Sequence, residues 1–374
     1  MAGIYLHIPF CKQACHYCDF HFSTSLKKKD EMISTLRREL FLRKDEITEP
    51  IETIYFGGGT PSVLSNNEIK LLIDEVYHLF DVTENPEITL EANPDDLSAD
   101  RIKELSESKI NRLSIGIQSF FDEDLKMMNR AHNANEAWNS LQEAKRYFDN
   151  ISIDLIYGIP EMTLDRWQQN VQKALDLNIP HISSYALTVE PKTALATLIK
   201  NGKIPTPDDG IAHEHFLLLI EMLENAGFIH YELSNFGKPD YFSKNNSAYW
   251  LGKKYLGIGP SAHSFNGENR SWNIANNSLY INAIQQDRLP NEIEVLSKND
   301  RYNEYVMTGL RTVWGVSLEK IKNDFGQEYL AYMLKNAQVF LTNEKLMIEN
   351  TILKTTLKGK FFCDGIASEL FMID

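Results

Sequence analysis

Ile4-Tyr5-Leu6-His7-Ile8-Pro9-Phe10-Cys11-Lys12-Gln13-Ala14-Cys15-His16-Tyr17-Cys18-Asp19-Phe20 opens the chain and decides how the rest is read. The run over 3–8 is rich in Ile, Leu and Tyr and stops at Pro9, the pattern of a short buried strand. Three cysteines follow at once, spaced C-x3-C-x2-C. They therefore sit at the C-terminal end of the first strand, the face on which barrel proteins assemble their sites. The fourth cysteine, Cys363, is remote. Four cysteines in 374 residues are no disulfide scaffold, and three crowded on one loop read as metal-binding or catalytic. Three thiolates can hold three irons of a cubane 4Fe-4S cluster and leave the fourth iron for a small molecule. The other donor set is a zinc site, with His7, His16 or His21 as fourth ligand.

Working outward, β-rich segments at 3–8, 51–56, 87–91, 112–117, 151–156 and 181–187 alternate with helical periodicity at 29–43, 66–80, 100–108, 135–148 and 164–177. The helical stretch after the fourth strand is interrupted around Arg130. Strands alternating with helices imply a parallel sheet. Six such units predict an α/β fold, a partial (β/α)6 barrel, with an open doubly wound sheet as the structural alternative. A helix at 210–226 and a strand at 228–233 follow. Residues 234–277 read as irregular, a sign of functional loops. The chain then turns mainly helical, with a hairpin near 340–352. The expected division is a barrel over 1–235, an irregular connecting segment over 236–294, and a smaller, mainly helical domain over 295–374.

Hydrophobic residues at 43% and charged residues at 24% exclude wholesale disorder. The net charge of −14 lacks the electrostatic footprint of a nucleic-acid binder. The N-terminus shows no secretory pattern, and no run approaches the roughly 20 apolar residues that span a bilayer. A cytoplasmic location is expected, with peripheral contact to a membrane surface left open.

Other strand ends carry chemistry. Gly57-Gly58-Gly59-Thr60-Pro61 closes the second strand, and three glycines let a ligand approach the backbone. Glu91 ends the third strand, where a carboxylate can accept a hydrogen bond from a ribose. Gln118 ends the fourth strand, Arg130 lies in the following loop, and Asp154 lies in the fifth.

Taken together, C-x3-C-x2-C after a first strand and GGGTP after a second resemble the radical S-adenosylmethionine (SAM) superfamily, in its HemN/HemW branch. The resemblance covers approximately residues 3–314, and residues 356–370 are also similar. It implies a 4Fe-4S cluster on Cys11, Cys15 and Cys18, whose open iron chelates SAM and whose electron cleaves it to a 5′-deoxyadenosyl radical. It further implies SAM contacts from Tyr5, Gly57, Gly58, Gly59, Thr60, Glu91, Gln118, Arg130, Asp154 and Ala186.

Two activities share the branch: oxygen-independent coproporphyrinogen III oxidation (HemN type) and heme delivery (HemW type). HemN-type chains read C-x3-C-x2-C-x-C, whereas Phe20 stands at the last position here. They also carry an N-terminal extension, and Cys11 comes almost at the start of this sequence. Arg130-Ala131-His132 is similar to the HemW R-x-H string. The resemblance therefore implies a heme chaperone with heme or a porphyrin, an apo-hemoprotein acceptor and a reducing electron donor as partners. The alternatives are a coproporphyrinogen dehydrogenase and a zinc-stabilised binding module. One departure stands out. The HemW motif HNxxYW reads Asn245-Asn246-Ser247-Ala248-Tyr249-Trp250 here, with an amide in place of the histidine. Asn246, Tyr249, Trp250 and His263 are the residues expected on the heme side.

Overall fold

The computed structural model of the protein describes residues 1–373. β1 (Ala2–Ile8), β2 (Ile51–Gly58), β3 (Val82–Ala92), β4 (Arg112–Gln118), β5 (Ile151–Tyr157) and β6 (His181–Ala186) lie side by side in chain order, each parallel to the next. They alternate with α1 (Lys29–Leu42), α2 (Asn66–Leu79), α3 (Ala99–Ser106), α4 (Asp122–Met127), α5 (Ala134–Ala144) and α6 (Leu164–Asp176). Helix starts follow local chemistry. Ser65 with Glu68 and Asn133 with Glu136 form reciprocal capping boxes. The apolar stripes bury Leu36, Leu72, Val76, Leu141 and Trp167 against the sheet. The expected interruption at Arg130 falls between α4 and α5.

The chain continues with α7 (Ala194–Lys200), α8 (Asp209–Asn225), β7 (Ile229–Glu232), β8 (Asn235–Gly237), α9 (Lys244–Trp250), β9 (Tyr255–Ile258), β10 (His263–Phe265), β11 (Asn269–Asn273), α10 (Asn277–Ile284) and β12 (Asn291–Val295). The stretch expected to be irregular is thus largely ordered. β9 adds to β1 in parallel, and β10, β11 and β12 extend that edge antiparallel. β8 and β7 extend the other edge beyond β6. These strands are short; β8 is buried, whereas β12 is almost wholly exposed. They carry no core alternation to read, and their register comes from β1 and β6. The end strands β7 and β12 do not pair with each other, so the barrel stays open.

The last segment folds around α11 (Lys298–Leu310), β13 (Val316–Ser317), α12 (Leu318–Lys320) running into a π turn, α13 (Gln327–Thr342), β14 (Leu346–Glu349), β15 (Ile352–Thr355), α14 (Leu357–Lys360) and α15 (Cys363–Glu369). Its core, including Tyr302, Val306, Met333, Leu353 and Ile366, is separate from the barrel core. The hairpin lies later than expected because α13 runs to Thr342. Asn350 and Thr351 take positive φ between its paired strands, as a two-residue primed turn requires.

Inside the barrel the pleat points alternate residues inward. Tyr5, Tyr55, Glu91, Ser114, Asp154 and Ser183 come from six successive strands and line one polar chamber. A parallel sheet usually has an apolar interior; here the inner face is built for a polar guest.

Candidate functional site

At the C-terminal ends of β1–β6 a cavity of about 430 Å³ opens. Cys11, Cys15, Cys18, Gly58, Gly59, Thr60, Glu91, Gln118, Arg130, Asp154 and Ala186 all line it. That volume falls within the range of small-molecule sites. Sequence reasoning missed Asn93, Ser114, Ile156 and Tyr185, which share the lining. Ser114, Ile156 and Tyr185 occupy the inward phase of their strands, so the period-two pattern was the available signal.

The glycine turn fits under the cysteine loop. The Gly59 amide donates to Ile8 O at 2.9 Å and the Thr60 amide to Phe10 O at 2.7 Å. A Cβ on Gly59 would stand 2.6 Å from Phe10 O, and Gly58 has φ +103° with the His7 ring where its Cβ would go. Gly57 lies between Tyr5 and Tyr55 rather than on the cavity wall. Gln118 has φ +64°, an uncommon conformation for a side-chain-bearing residue, and strain of this kind clusters at ligand sites.

Arg130 is the hub. Its Nη1 donates to Cys15 Sγ at 3.3 Å, and its Nη2 donates to Asn93 Oδ1 at 2.6 Å and to Gly116 O at 2.9 Å. Its Nε is buried without a partner. Thr60 Oγ1 donates to Cys11 Sγ at 3.3 Å. Burial pushes the Cys11 and Cys18 thiols up to about 11, and the neighbouring cysteines add to this. Thiolates here need positive charge among them, which is what iron supplies. Burial likewise raises Glu91 to about 7 and Asp154 to about 6. Tyr55 donates to Glu91 Oε1 at 2.8 Å. Two desolvated carboxyls, an orphaned guanidinium nitrogen and a glycine cradle fit the amine, carboxylate and ribose hydroxyls of SAM.

The zinc donor set finds no support in the geometry. His7 Nε2 bonds His21 O, His16 Nδ1 bonds Met127 O, and His21 Nε2 bonds Asn277 Oδ1.

The heme-side residues do not form one surface. Asn246 and Tyr249 line the second chamber, about 230 Å³, which Glu91 and Asp154 also line; Tyr5, expected at SAM, lies in this chamber rather than on the wall of the cysteine-side cavity. α9 closes that end of the barrel, its Lys244 and Asn245 amides donating to the Glu87 carboxylate at 3.1 Å. Asn245 is 5% exposed, and its Oδ1 accepts the Thr53 hydroxyl. Trp250 lies under the Arg311 guanidinium, 5.3 Å from the ring centre. His263 begins β10 and is exposed, with its ring 5.9 Å from that of Trp272. The expected pairing of Tyr249 and Trp250 on a porphyrin face is therefore corrected. On α9 they are consecutive, and consecutive helical side chains point apart.

Comparison with known proteins agrees with this class of site. The model of the radical SAM superfamily matches residues 5–174, and that of the HemN C-terminal domain matches residues 296–362. The heme chaperone HemW of Bacillus subtilis is 35% identical over 332 residues, covering 87% of this chain and 88% of that relative. The heme chaperone HemW of Haemophilus influenzae is 33% identical, with 100% and 98% covered. The structure of coproporphyrinogen III oxidase (HemN) from Escherichia coli superposes with a TM-score of 0.86 at 22% identity, covering 99% of this chain and 90% of that one. The barrel is thus a radical SAM barrel, the fold class expected from the sequence. The chain belongs to the HemW family of radical SAM proteins.

Proposed function

We propose that this protein binds heme and passes it to apo-hemoproteins, with a 4Fe-4S cluster on Cys11, Cys15 and Cys18 and SAM beside it in the barrel mouth. The observation that carries this reading is the likeness to HemW heme chaperones over nearly the whole chain. Phe20 supports it locally. It stands at the cavity rim, 68% exposed, where an additional cysteine would mark the oxidase pattern, and its ring offers no donor atom.

The bound cluster and SAM supply one-electron chemistry. The chain's own residues position and shield. Arg130 sets a fixed positive charge against Cys15 and offers its free Nε–H to a carboxylate. Glu91, once ionised, accepts from ribose hydroxyls, with Tyr55 holding its other side. Gly58 and Gly59 admit the ligand to backbone distance. α9 plugs the lower end of the barrel, leaving the upper mouth for entry.

For heme, His263 and Trp272 form the better-placed pair. They are paired across β10 and β11, an exposed imidazole beside an indole, whereas Asn245 is buried and bonded by Thr53. The middle segment 236–294 belongs with the barrel in this reading, and 295–373 forms the second lobe. The unpaired loop thiols suit a reducing, cytoplasm-like compartment with a one-electron donor. No helix among the described residues is long and apolar enough to cross a membrane.

Anaerobic reconstitution with iron and sulfide, followed by parallel heme titration and coproporphyrinogen III turnover, tests the proposal. Heme binding without decarboxylated product is expected. Decarboxylated product without heme binding overturns it in favour of the oxidase.

A further inference from the structure

A cavity of about 150 Å³ lies at the seam between the barrel edge and the C-terminal lobe, away from the cluster mouth. The seam is a backbone one: Glu232 at the end of β7 bridges to Thr312, and the Val313 amide donates to Tyr231 O at 2.9 Å. Lys354, Lys360 and Arg311 reach this cavity from three separate elements, together with His230, Glu232 and Thr312.

Lys360 is the informative residue. Its ammonium sits 2.7 Å from His230 Nδ1 and makes no ion pair with any carboxylate among the described residues. His230 Nε2 is 3.1 Å from Leu233 O, which can only accept, so Nε2 carries the proton and Nδ1 is a neutral acceptor. Burial lowers the pKa of Lys360, no carboxylate lies within ion-pair distance of it, and two of its N–H bonds remain for a guest. Glu224 is the carboxylate whose field reaches it. Arg311 and Lys354 pair with Asp364 and Glu349, acids that are 58% and 54% exposed on the outer side. Arg311 Nε has no partner. Glu232 is 2% exposed and its Oε2 is also unpartnered. Burial raises the pKa of that carboxyl, which lessens its opposition to an anion. A half-buried cation without an ion-pair partner is costly, and an anion offsets that cost.

We propose that this seam cavity is a binding site for a small oxyanion of the phosphate class, held by Lys360 with Arg311 and Lys354 and clamping the two lobes together. The volume admits one phosphate and little more: it equals the space of about five waters. The group is either free inorganic phosphate or the terminal phosphate of a larger ligand.

The test is thermal unfolding of the full chain in inorganic phosphate and in chloride at equal ionic strength. The wild type should melt several degrees higher in phosphate. Lys360→Met should lose that increment and Lys360→Arg should keep most of it. Lys354→Met, at a half-buried position, should weaken apparent phosphate affinity severalfold and serves if Lys360→Met does not fold. Methyl phosphate separates the sources: stabilisation by both compounds assigns a terminal phosphate group, and stabilisation by inorganic phosphate alone assigns the free ion. Equal melting of the wild type in phosphate and chloride, or an undiminished phosphate effect in both Met variants, overturns the proposal.

Discussion

Arg130 and Asn93 are joined at 2.6 Å, guanidinium Nη2 to amide Oδ1, and this bond connects the SAM side of the mouth to the cysteine loop. Asn93 continues through its own amide to Thr60 Oγ1 at 3.4 Å, and Thr60 donates to Cys11 Sγ. Arg130 also reaches Cys15 directly. A change at Arg130 is therefore felt at two thiols as well as in the pocket. Arg130→Ala should weaken SAM binding by about 1.5–3 kcal/mol, or roughly ten- to a hundredfold. Asn93→Ala should cost less, since it removes only the brace. Anaerobic SAM titrations would check this. Unchanged affinity in Arg130→Ala and Glu91→Ala alike would place the pocket elsewhere.

The cysteines divide three to one. Cys11, Cys15 and Cys18 line the mouth, whereas Cys363 is buried in the C-terminal core. Each loop Cys→Ala variant should lose bound iron and the visible charge-transfer absorption. Cys363→Ala should keep both and lose at most about 1–2 kcal/mol of stability, from a small cavity. Stoichiometric zinc in protein purified under strict anaerobiosis would count against the cluster.

Glu91 gives a pH signature. Its folded-state value is raised to about 7, and that of Asp154 to about 6, both chiefly by burial. The native state then binds protons more tightly than the unfolded chain between the two sets of values. Stability of the SAM-free protein falls as pH rises through that window and levels off above about pH 7. Arg112 and Tyr55 face the same chamber and keep their hydrogen-bonding roles throughout. Glu91→Gln should remove part of the slope. Urea unfolding at about pH 5 and 7.5 should show the variant gaining on the wild type at the higher pH; parallel slopes would mean Glu91 ionises as it does in water.

Gly58 should tolerate no side chain. With φ +103° and the His7 ring in the way, Gly58→Ala must both strain the backbone and displace that ring. A loss of about 1–3 kcal/mol is expected, together with weakened SAM binding. Melting temperature and SAM titration measured together would check it.

Much of this was legible in the sequence because the residues carry local rules. Alternating β and α patterns gave β1–β6 to within a few residues, except at the start of β3, since each strand is a dense apolar run bounded by Gly, Pro or Asn. Cys11, Cys15, Cys18 and the glycine turn announced themselves by spacing. β9–β12 were not legible: they are short edge strands ordered by neighbours far away in sequence. The separation of Tyr249, Trp250 and His263 was not legible either. A motif fixes the order of residues along the chain, while the side each faces depends on α9 packing under the barrel, with Glu87 capping it.

That separation sets the last prediction. If the HNxxYW-like string held heme directly, Trp250 would be the main contact. In the structure its ring is covered by Arg311 and its Nε1 is bonded to Asn246 at 3.2 Å, so it offers little free face. His263 is exposed and carries Trp272 beside it. Partial desolvation, with the Arg270 charge, lowers the pKa of the His263 imidazole, which favours the neutral form that ligates iron. Wild type should therefore give a Soret shift on heme titration. His263→Ala should reduce affinity at least tenfold and change the band position, because the iron loses a nitrogen ligand. Trp250→Ala should leave the band position unchanged and alter affinity by no more than a few fold, while lowering thermal stability at the Arg311 seam. The reverse pattern, with His263→Ala silent and Trp250→Ala abolishing the shift, would move heme from β10 to the seam. Decarboxylated coproporphyrinogen without any Soret change would instead promote the oxidase.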